Sequence, residues 1–273
     1  MTISSADFEY IRKLMHQHTA LVLAEDKAYL VESRLTPLLK EMGVHTLHQL
    51  VRRLKTEPFS SIHQQVLEAM VTTETFFFRD SEPFKMLQNF ILPDLLQQRR
   101  SERRLCLWCA GCSSGQEPYS IVMLIQEHFP ELSTWDLTFI ASDISGDILA
   151  RAQAGLYTQH EVSRGLSPAL LQKYFQPQGK TWRINHNLRQ KIDYRQFNLA
   201  NAWPTLPTMD IIFMRNVLIY FDVPTKQHIL ARVRQVLRPD GYLLLGGGET
   251  TIHLDTAFKP TQFNKSICYR LRS

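Results

Sequence analysis

The stretch Leu105 to Ser120, LCLWCAGCSSGQEPYS, constrains the fold of this chain more than any other. Residues 105–110 read as a buried strand, and the small residues Gly111, Cys112, Ser113, Ser114 and Gly115 as a tight turn. An apolar-periodic helix follows from Glu117 to about Phe129. Such a junction suits a nucleotide-like ligand, because glycines allow close backbone approach and the first N–H groups of the helix point into the crevice. The turn is neither G-x-G-x-x-G nor G-x-x-x-x-G-K-[ST], and Glu117 stands where a phosphate needs neutral donors or a cation. A phosphate is therefore disfavoured. A cationic or neutral adenosine-type ligand such as S-adenosylmethionine fits better, with Glu117 available to its ammonium group. The alternative for Glu117 is that it only complements the helix dipole.

The rest of the chain extends this junction into an α/β domain preceded by helices. Downstream, a strand over 137–142 ends at Asp143, and a helix covers 145–154. A short helix follows over 167–175, then segments 182–187 and 190–197, which pair as a hairpin. A strand over 210–214 leads into RNVLIYFD, a helix over 225–237, a Pro-Asp-Gly turn at 239–241, a strand over 242–245 and a closing strand over 265–271. This alternation is that of a doubly wound sheet. An acid at the carboxyl end of the second strand is placed to accept from ribose hydroxyls, although Asp143 also suits an N-cap.

Residues 1–72 read as helices only. The first is capped at Ser4 or Ser5 and runs to about His18. The second spans 27–42 and stops at Gly43, the third is capped by Thr46 and ends before Pro58, and the fourth runs from Ser60 or Ser61 to Met70. Arg52, Arg53 and Lys55 form a local basic cluster, read as a solvated face. VTTETFFFRD, residues 71–80, connects the two parts. Its three phenylalanines must be buried, so the connector is expected to lie over the mouth of the next domain. A helix over 81–96, interrupted by Pro93, and the basic run Arg99, Arg100, Arg103 and Arg104 precede the first strand.

The chain has 273 residues, enough for one main domain and a smaller companion, and 44% of them are hydrophobic. A net charge of +5 is too mild to argue for nucleic acid without a basic stripe. Cys106, Cys109 and Cys112 are spaced like a metal clip. However, two lie in a strand whose alternate side chains face opposite ways, and no second ligand pair accompanies them, so no metal is expected. Reduced, buried cysteines, the lack of a signal-like N-terminus and the lack of an apolar run of roughly 20 residues point to a cytoplasmic protein without membrane insertion.

Three separated stretches now coincide with one family. VTTETFFFRD, WCAGCSSGQEPYS and MRNVLIYFD together resemble the chemotaxis receptor glutamate methyltransferases, the CheR family, and the resemblance covers essentially the whole chain. It implies an α/β, Rossmann-like S-adenosylmethionine-dependent methyltransferase domain with a small all-helical N-terminal domain and a small inserted β-hairpin subdomain. The implied divisions are a receptor-docking domain over 1–72, a connector over 73–82 that contributes to the cofactor pocket, and a catalytic domain over 83–273 with the β-subdomain at about 176–197. The resemblance further implies S-adenosylmethionine as methyl donor, S-adenosylhomocysteine as product, and glutamates on the cytoplasmic helices of methyl-accepting chemoreceptors as acceptors.

Carried across by motif, the implied cofactor residues are Thr73, Thr75 and Arg79 from the connector, Glu117 from the first loop, Asp143 after the second strand, Asn198 and Leu199 from FNL, and Arg215 and Asn216 from RNV. Thr73 stands where the family often has asparagine, and Gln116 where it often has an acid. A monomer is expected.

The chemistry follows without the family. A glutamate carboxylate, with an ordinary pKa of about 4.3, is already ionised at neutral pH, so no general base is needed. The protein must strip water from the carboxylate and aim it at the methyl group, tasks for an arginine and a tyrosine, here Arg79 and Tyr220. Competing readings are a small-molecule methyltransferase of the same fold and a receptor-docking adaptor without turnover. The connection Pro177, Gln178, Gly179 and Lys180 is short compared with the family members that bind a receptor's C-terminal pentapeptide, which predicts independence from that tether.

Overall fold

The computed structural model describes residues 2–272. The chain forms two compact units, Met1–Thr72 with Tyr220–Thr225, and Thr73–Ile219 with Lys226–Ser273.

In the first unit, helices Ser5–Thr19, Ala28–Leu35, Leu47–Thr56 and Ser61–Met70 enclose Ile11, Val31, Leu35, Leu50 and Val66, all fully buried or nearly so. The caps are local and legible. Ser4 Oγ accepts from the Asp7 N–H, Thr46 Oγ1 from the Gln49 N–H, and Ser60 with His63 closes a capping box. The helix expected over 27–42 is shorter. A 3-10 turn, Glu25–Lys27, precedes it and another, Thr36–Leu38, ends it, because Pro37 has no N–H to continue the ladder. The basic cluster is only partly a solvated face. Arg53 donates to Glu57 at 2.6 Å and to the Met42 carbonyl at 2.8 Å and is half-buried, while Arg52 and Lys55 are exposed, Lys55 lying over the Tyr10 ring.

The second unit is built on a seven-stranded sheet. In chain order the strands are β1 (Arg104–Ala110), β2 (Asp136–Asp143), β3 (Leu156–Thr158), β4 (Phe175–Gln178), β5 (Thr181–Ile184), β6 (Asp193–Gln196), β7 (Met209–Met214), β8 (Leu237–Leu245), β9 (Phe258–Phe263) and β10 (Ser266–Leu271). The large sheet runs β6-β2-β1-β7-β8-β10-β9. Its first five strands are parallel, and β10 and β9 are antiparallel additions. Strands β1 and β7 are buried along almost their whole length, as parallel strands covered on both faces must be. The order reverses beside β1, which places a crevice at the carboxyl ends of β1, β2 and β7.

Several local expectations are corrected. Ahead of Pro93 the helix widens into a π-turn, Leu87–Ile91, where the Leu92 N–H reaches back to the Leu87 carbonyl. Pro-Asp-Gly at 239–241 does not end an element. It is absorbed as an irregularity inside β8, whose register against β7 shifts between Met209 and Ile211. The strand β9 was not expected, since Lys259 and Pro260 break its apolar pattern.

The expected hairpin of 182–187 with 190–197 does not form. Helix His186–Arg189 intervenes, β6 joins the large sheet beside β2, and the real hairpin is β4 with β5, closed by Gly179 and Lys180. With β3 it makes a separate three-stranded sheet in the order β3-β5-β4.

The β4 edge of that small sheet is short of donors, and one outward donor on the β3 edge is taken. A two-residue turn makes Gln178 and Thr181 the hydrogen-bonded pair, so Phe175 and Pro177 face outward from β4. The Phe175 N–H is spent on the Leu171 carbonyl, and proline has none. On β3 the outward Thr158 N–H is taken by Glu161 Oε2 at 2.9 Å.

Arg99, the first residue of the basic run ahead of β1, is buried. It donates through Nε to Asp210 at 2.8 Å and through both terminal nitrogens to Asp240 at 2.7 and 2.5 Å. The hydrogen bond from Arg99 is the main cause that holds the Asp240 carboxyl below the usual carboxylate range. Ionised Asp240 is thus favoured more in the folded chain than in the unfolded one. Its contribution is present above the ordinary aspartate pKa of about 4 and is lost as pH falls through the depressed value. The urea midpoint should therefore drop more steeply below about pH 4 in the wild type than in Arg99→Met. Parallel curves would remove this role.

Candidate active site

Four segments meet at the carboxyl ends of β1, β2 and β7: the connector, the glycine turn, the end of β2 and the start of RNV. Ser113 joins the first three. Its N–H donates to Asp143 Oδ2 at 2.8 Å and its hydroxyl to the Thr73 carbonyl at 2.8 Å. Asp143 Oδ1 accepts from the Ser145 N–H at 3.2 Å, while the cap of helix Gly146–Ala154 is Ser145 rather than Asp143. Burial pushes the Asp143 carboxyl above its ordinary range, and the N–H groups of Ser113, Ser145 and Ile144 oppose this. An acid held at this strand end by backbone donors is an acceptor in place for hydroxyls.

The second cluster is ionic. The Arg215 side chain is 1% exposed, and its Nη1 donates to Glu117 Oε2 at 2.5 Å. Its Nη2 donates to Asp80 at 2.8 Å and to the Arg79 carbonyl at 2.9 Å. Glu117 Oε1 accepts from the Cys109 thiol, which burial keeps protonated, at 3.2 Å. Two residues expected to meet the cofactor, Glu117 and Arg215, thus meet each other. They tie the connector to the helix that follows the glycine turn.

The connector itself is well anchored. Phe77 is fully buried, edge-on to Tyr157 and Phe175, and Phe78 packs on Phe84 and donates its N–H to Ser120 Oγ at 2.9 Å. Phe78, Asp80, Ser113 and Asn216 all have positive φ. Each such backbone costs of order 1–3 kcal/mol and persists where surrounding contacts over-determine it, as at ligand sites.

The remaining expected residues are placed as follows. Thr75 is half-buried in the connector. The Arg79 guanidinium donates to the Glu74 carbonyl at 2.9 Å and lies over Phe76, so its carbonyl rather than its side chain joins the ionic cluster. Asn198 Oδ1 accepts from the Ala200 N–H, and the carbonyl of buried Leu199 accepts from Trp203, whose ring stands edge-on to Trp108 of β1. Asn216 follows β7 with its Oδ1 buried and without a hydrogen-bond partner among the described residues. Tyr220 belongs to the first unit. Its carbonyl accepts from the Val22 N–H, and it lines a cavity of about 160 Å³ with Met15, Leu30 and Arg34.

Sequence reasoning missed Ser113 as the joint of the site, Asp80 as the partner of Arg215, and Glu249. The signal for Glu249 was an acid directly after three glycines at the end of a parallel strand, GGGE.

The fit to a cofactor turns on three observations. A buried acceptor without a donor at Asn216, a strand-end carboxylate at Asp143 and a turn with no phosphate cradle suit a ligand rich in N–H and O–H donors. S-adenosylmethionine is such a ligand. Gly111, at φ +68°, is needed for the wall of this site, since a Cβ there would lie 2.4 Å from Val217 Cγ2.

Comparison with known proteins agrees. Residues 6–71 match the family described as CheR methyltransferase, all-alpha domain, and residues 73–267 match CheR methyltransferase, SAM binding domain. The chain is 38% identical over 277 residues to Chemotaxis protein methyltransferase Cher2 of Pseudomonas putida and, equally, to Chemotaxis protein methyltransferase 1 of Pseudomonas aeruginosa, with each pair covered end to end. It is 34% identical over 264 residues to Chemotaxis protein methyltransferase of Escherichia coli, spanning 94% of this chain and 89% of that one. This chain belongs to the CheR methyltransferase family, and S-adenosylmethionine is its cofactor.

Proposed function

We propose that the chain transfers the methyl group of S-adenosylmethionine to glutamate side chains on the cytoplasmic helices of chemoreceptors, leaving methyl esters and S-adenosylhomocysteine, as part of chemotactic adaptation. The reading is carried by the end-to-end match to chemotaxis methyltransferases, together with a donor-seeking crevice where the family has its SAM binding domain. When bound, the cofactor supplies a sulfonium methyl group for in-line displacement. The chain's part is positional. Asp143, Asn198, Leu199, Asn216 and the connector residues Thr73 and Thr75 line and orient, while Arg215 and Glu117 fix the connector in place. Arg79 is held beside this cluster by its own backbone and is the candidate to grip the acceptor carboxylate, and Tyr220, which the RNVLIYFD motif singles out, is a second and separate catalytic candidate.

The protein acts as a cytoplasmic monomer. Among the described residues, no helix is long and apolar enough to cross a membrane. Receptor recognition runs through the helical unit, with Arg52, Arg53 and Lys55 as candidate contacts, and does without a C-terminal pentapeptide. The β4 edge of the β3-β5-β4 sheet supports this, because strand addition relies on outward N–H groups, which are spent at Phe175 and absent at Pro177.

The test mixes purified protein, receptor cytoplasmic fragment and methyl-labelled S-adenosylmethionine. Label that mild base releases from the receptor is expected. Base-stable label, or transfer only to small molecules, would refute the glutamate reading. Micromolar binding of a free receptor pentapeptide would refute the tether-independent one.

A further inference from the structure

At the carboxyl ends of parallel strands, backbone N–H groups leave the sheet and need other acceptors. Here one side chain gathers four of them. Glu249 Oε2 accepts from the N–H groups of Asn216 at 2.7 Å and Gly246 at 2.6 Å, and Oε1 from those of Val217 at 2.9 Å and Ile219 at 3.2 Å. The first, third and fourth of these residues follow β7, and Gly246 follows β8. A carboxylate has about four lone-pair sites, so this one is fully used by the backbone and has none left for a substrate.

The geometry points to Glu249 as a positioning residue for methyl transfer: it holds the loop after β7 so that Asn216 stays left-handed and Val217 stays against Gly111. The inference rests on the proposed S-adenosylmethionine site. Asn216, at φ +57°, carries the unpartnered buried Oδ1 that suits the cofactor, and an ionised acceptor on its N–H stabilises that backbone more than a neutral one would. Val217 meets the space that a Cβ on Gly111 would occupy, so a shift of this loop moves the wall of the glycine turn. Gly246 is the residue that lets the carboxylate in, since a Cβ there would lie 2.7 Å from both Glu249 Oε2 and Asn216 Nδ2. Gly247 and Gly248 border open space, so the loop that brings Glu249 back is free of side chains that would hold it otherwise.

Glu249→Gln keeps the shape, removes the charge and turns an amino group toward two of the four donors. The variant should bind S-adenosylhomocysteine at least tenfold more weakly, with a matching rise in KM for S-adenosylmethionine, while melting within a few degrees of wild type. Unchanged affinity and turnover would overturn the inference. So would a large fall in melting temperature with wild-type affinity in the folded fraction, which is what a purely structural tie gives. Hydrogen exchange on the wild type gives a check that needs no variant. The amides of Asn216, Val217, Ile219 and Gly246 should be protected like those of β7, and fast exchange at them would also overturn it. Failure of the wild type itself to bind S-adenosylhomocysteine would count against the cofactor site rather than against Glu249.

Discussion

Replacing Arg215 by methionine is expected to abolish binding of S-adenosylhomocysteine and to destabilise the chain by about 3–5 kcal/mol, the usual cost of removing one partner of a buried ion pair. Glu117, 11% exposed at its side chain, would be left as an uncompensated charge beside the Cys109 thiol, and Asp80 and the Arg79 carbonyl would lose the donor that holds the connector. The double variant Arg215→Met with Glu117→Gln separates the two effects. It removes both charges, so most of the stability should return, whereas binding should not, because the connector stays untied. Urea unfolding and calorimetry measure the two quantities. A single variant within about 1 kcal/mol of wild type, with normal binding, would show that the cluster is an incidental ion pair.

The second large effect belongs to Asp143. Asp143→Ala should weaken S-adenosylhomocysteine binding about 10- to 100-fold, the equivalent of roughly 1–3 kcal/mol for hydrogen bonds to a buried charged acceptor. The loss includes the Ser113 N–H, which the carboxylate holds in the site, and the hydroxyls of the ligand. Because burial raises the Asp143 pKa, the ionised acceptor is lost at a higher pH than for an ordinary aspartate. Wild-type affinity should therefore begin to fall on acidification before that threshold, and Asp143→Asn should be flatter with pH. Unchanged affinity in Asp143→Ala would remove Asp143 from the site.

What was legible in the sequence was local or periodic. The caps at Ser4 and Thr46, the strands around Leu107 and Ile211, and the glycine turn each announce themselves within a few residues, because capping, alternation and left-handed glycine are short-range physics. Pairing partners were not. Nothing in residues 193–196 says that they join β2 rather than fold back on 182–187, since the side-chain alternation of a strand is the same in either sheet. β9 hid behind Lys259 and Pro260, whose polar and ring chemistry an edge strand tolerates.

The candidate site divides in the same way. Asp143 and Asn216 stand where strand ends and motifs placed them, whereas the mutual pairing of Glu117 with Arg215 is a long-range contact that no spacing reveals. For Glu249 the run GGGE marks the acid but not what it binds, as its four donors come from two loops.

The position of bound S-adenosylhomocysteine tests the account most directly. Diffraction from crystals of the chain grown with this ligand should show it at the carboxyl ends of β1, β2 and β7, with its ribose hydroxyls on Asp143 and an N–H donor on Asn216 Oδ1. A ligand bound elsewhere, or bound there without contact to either residue, would contradict it.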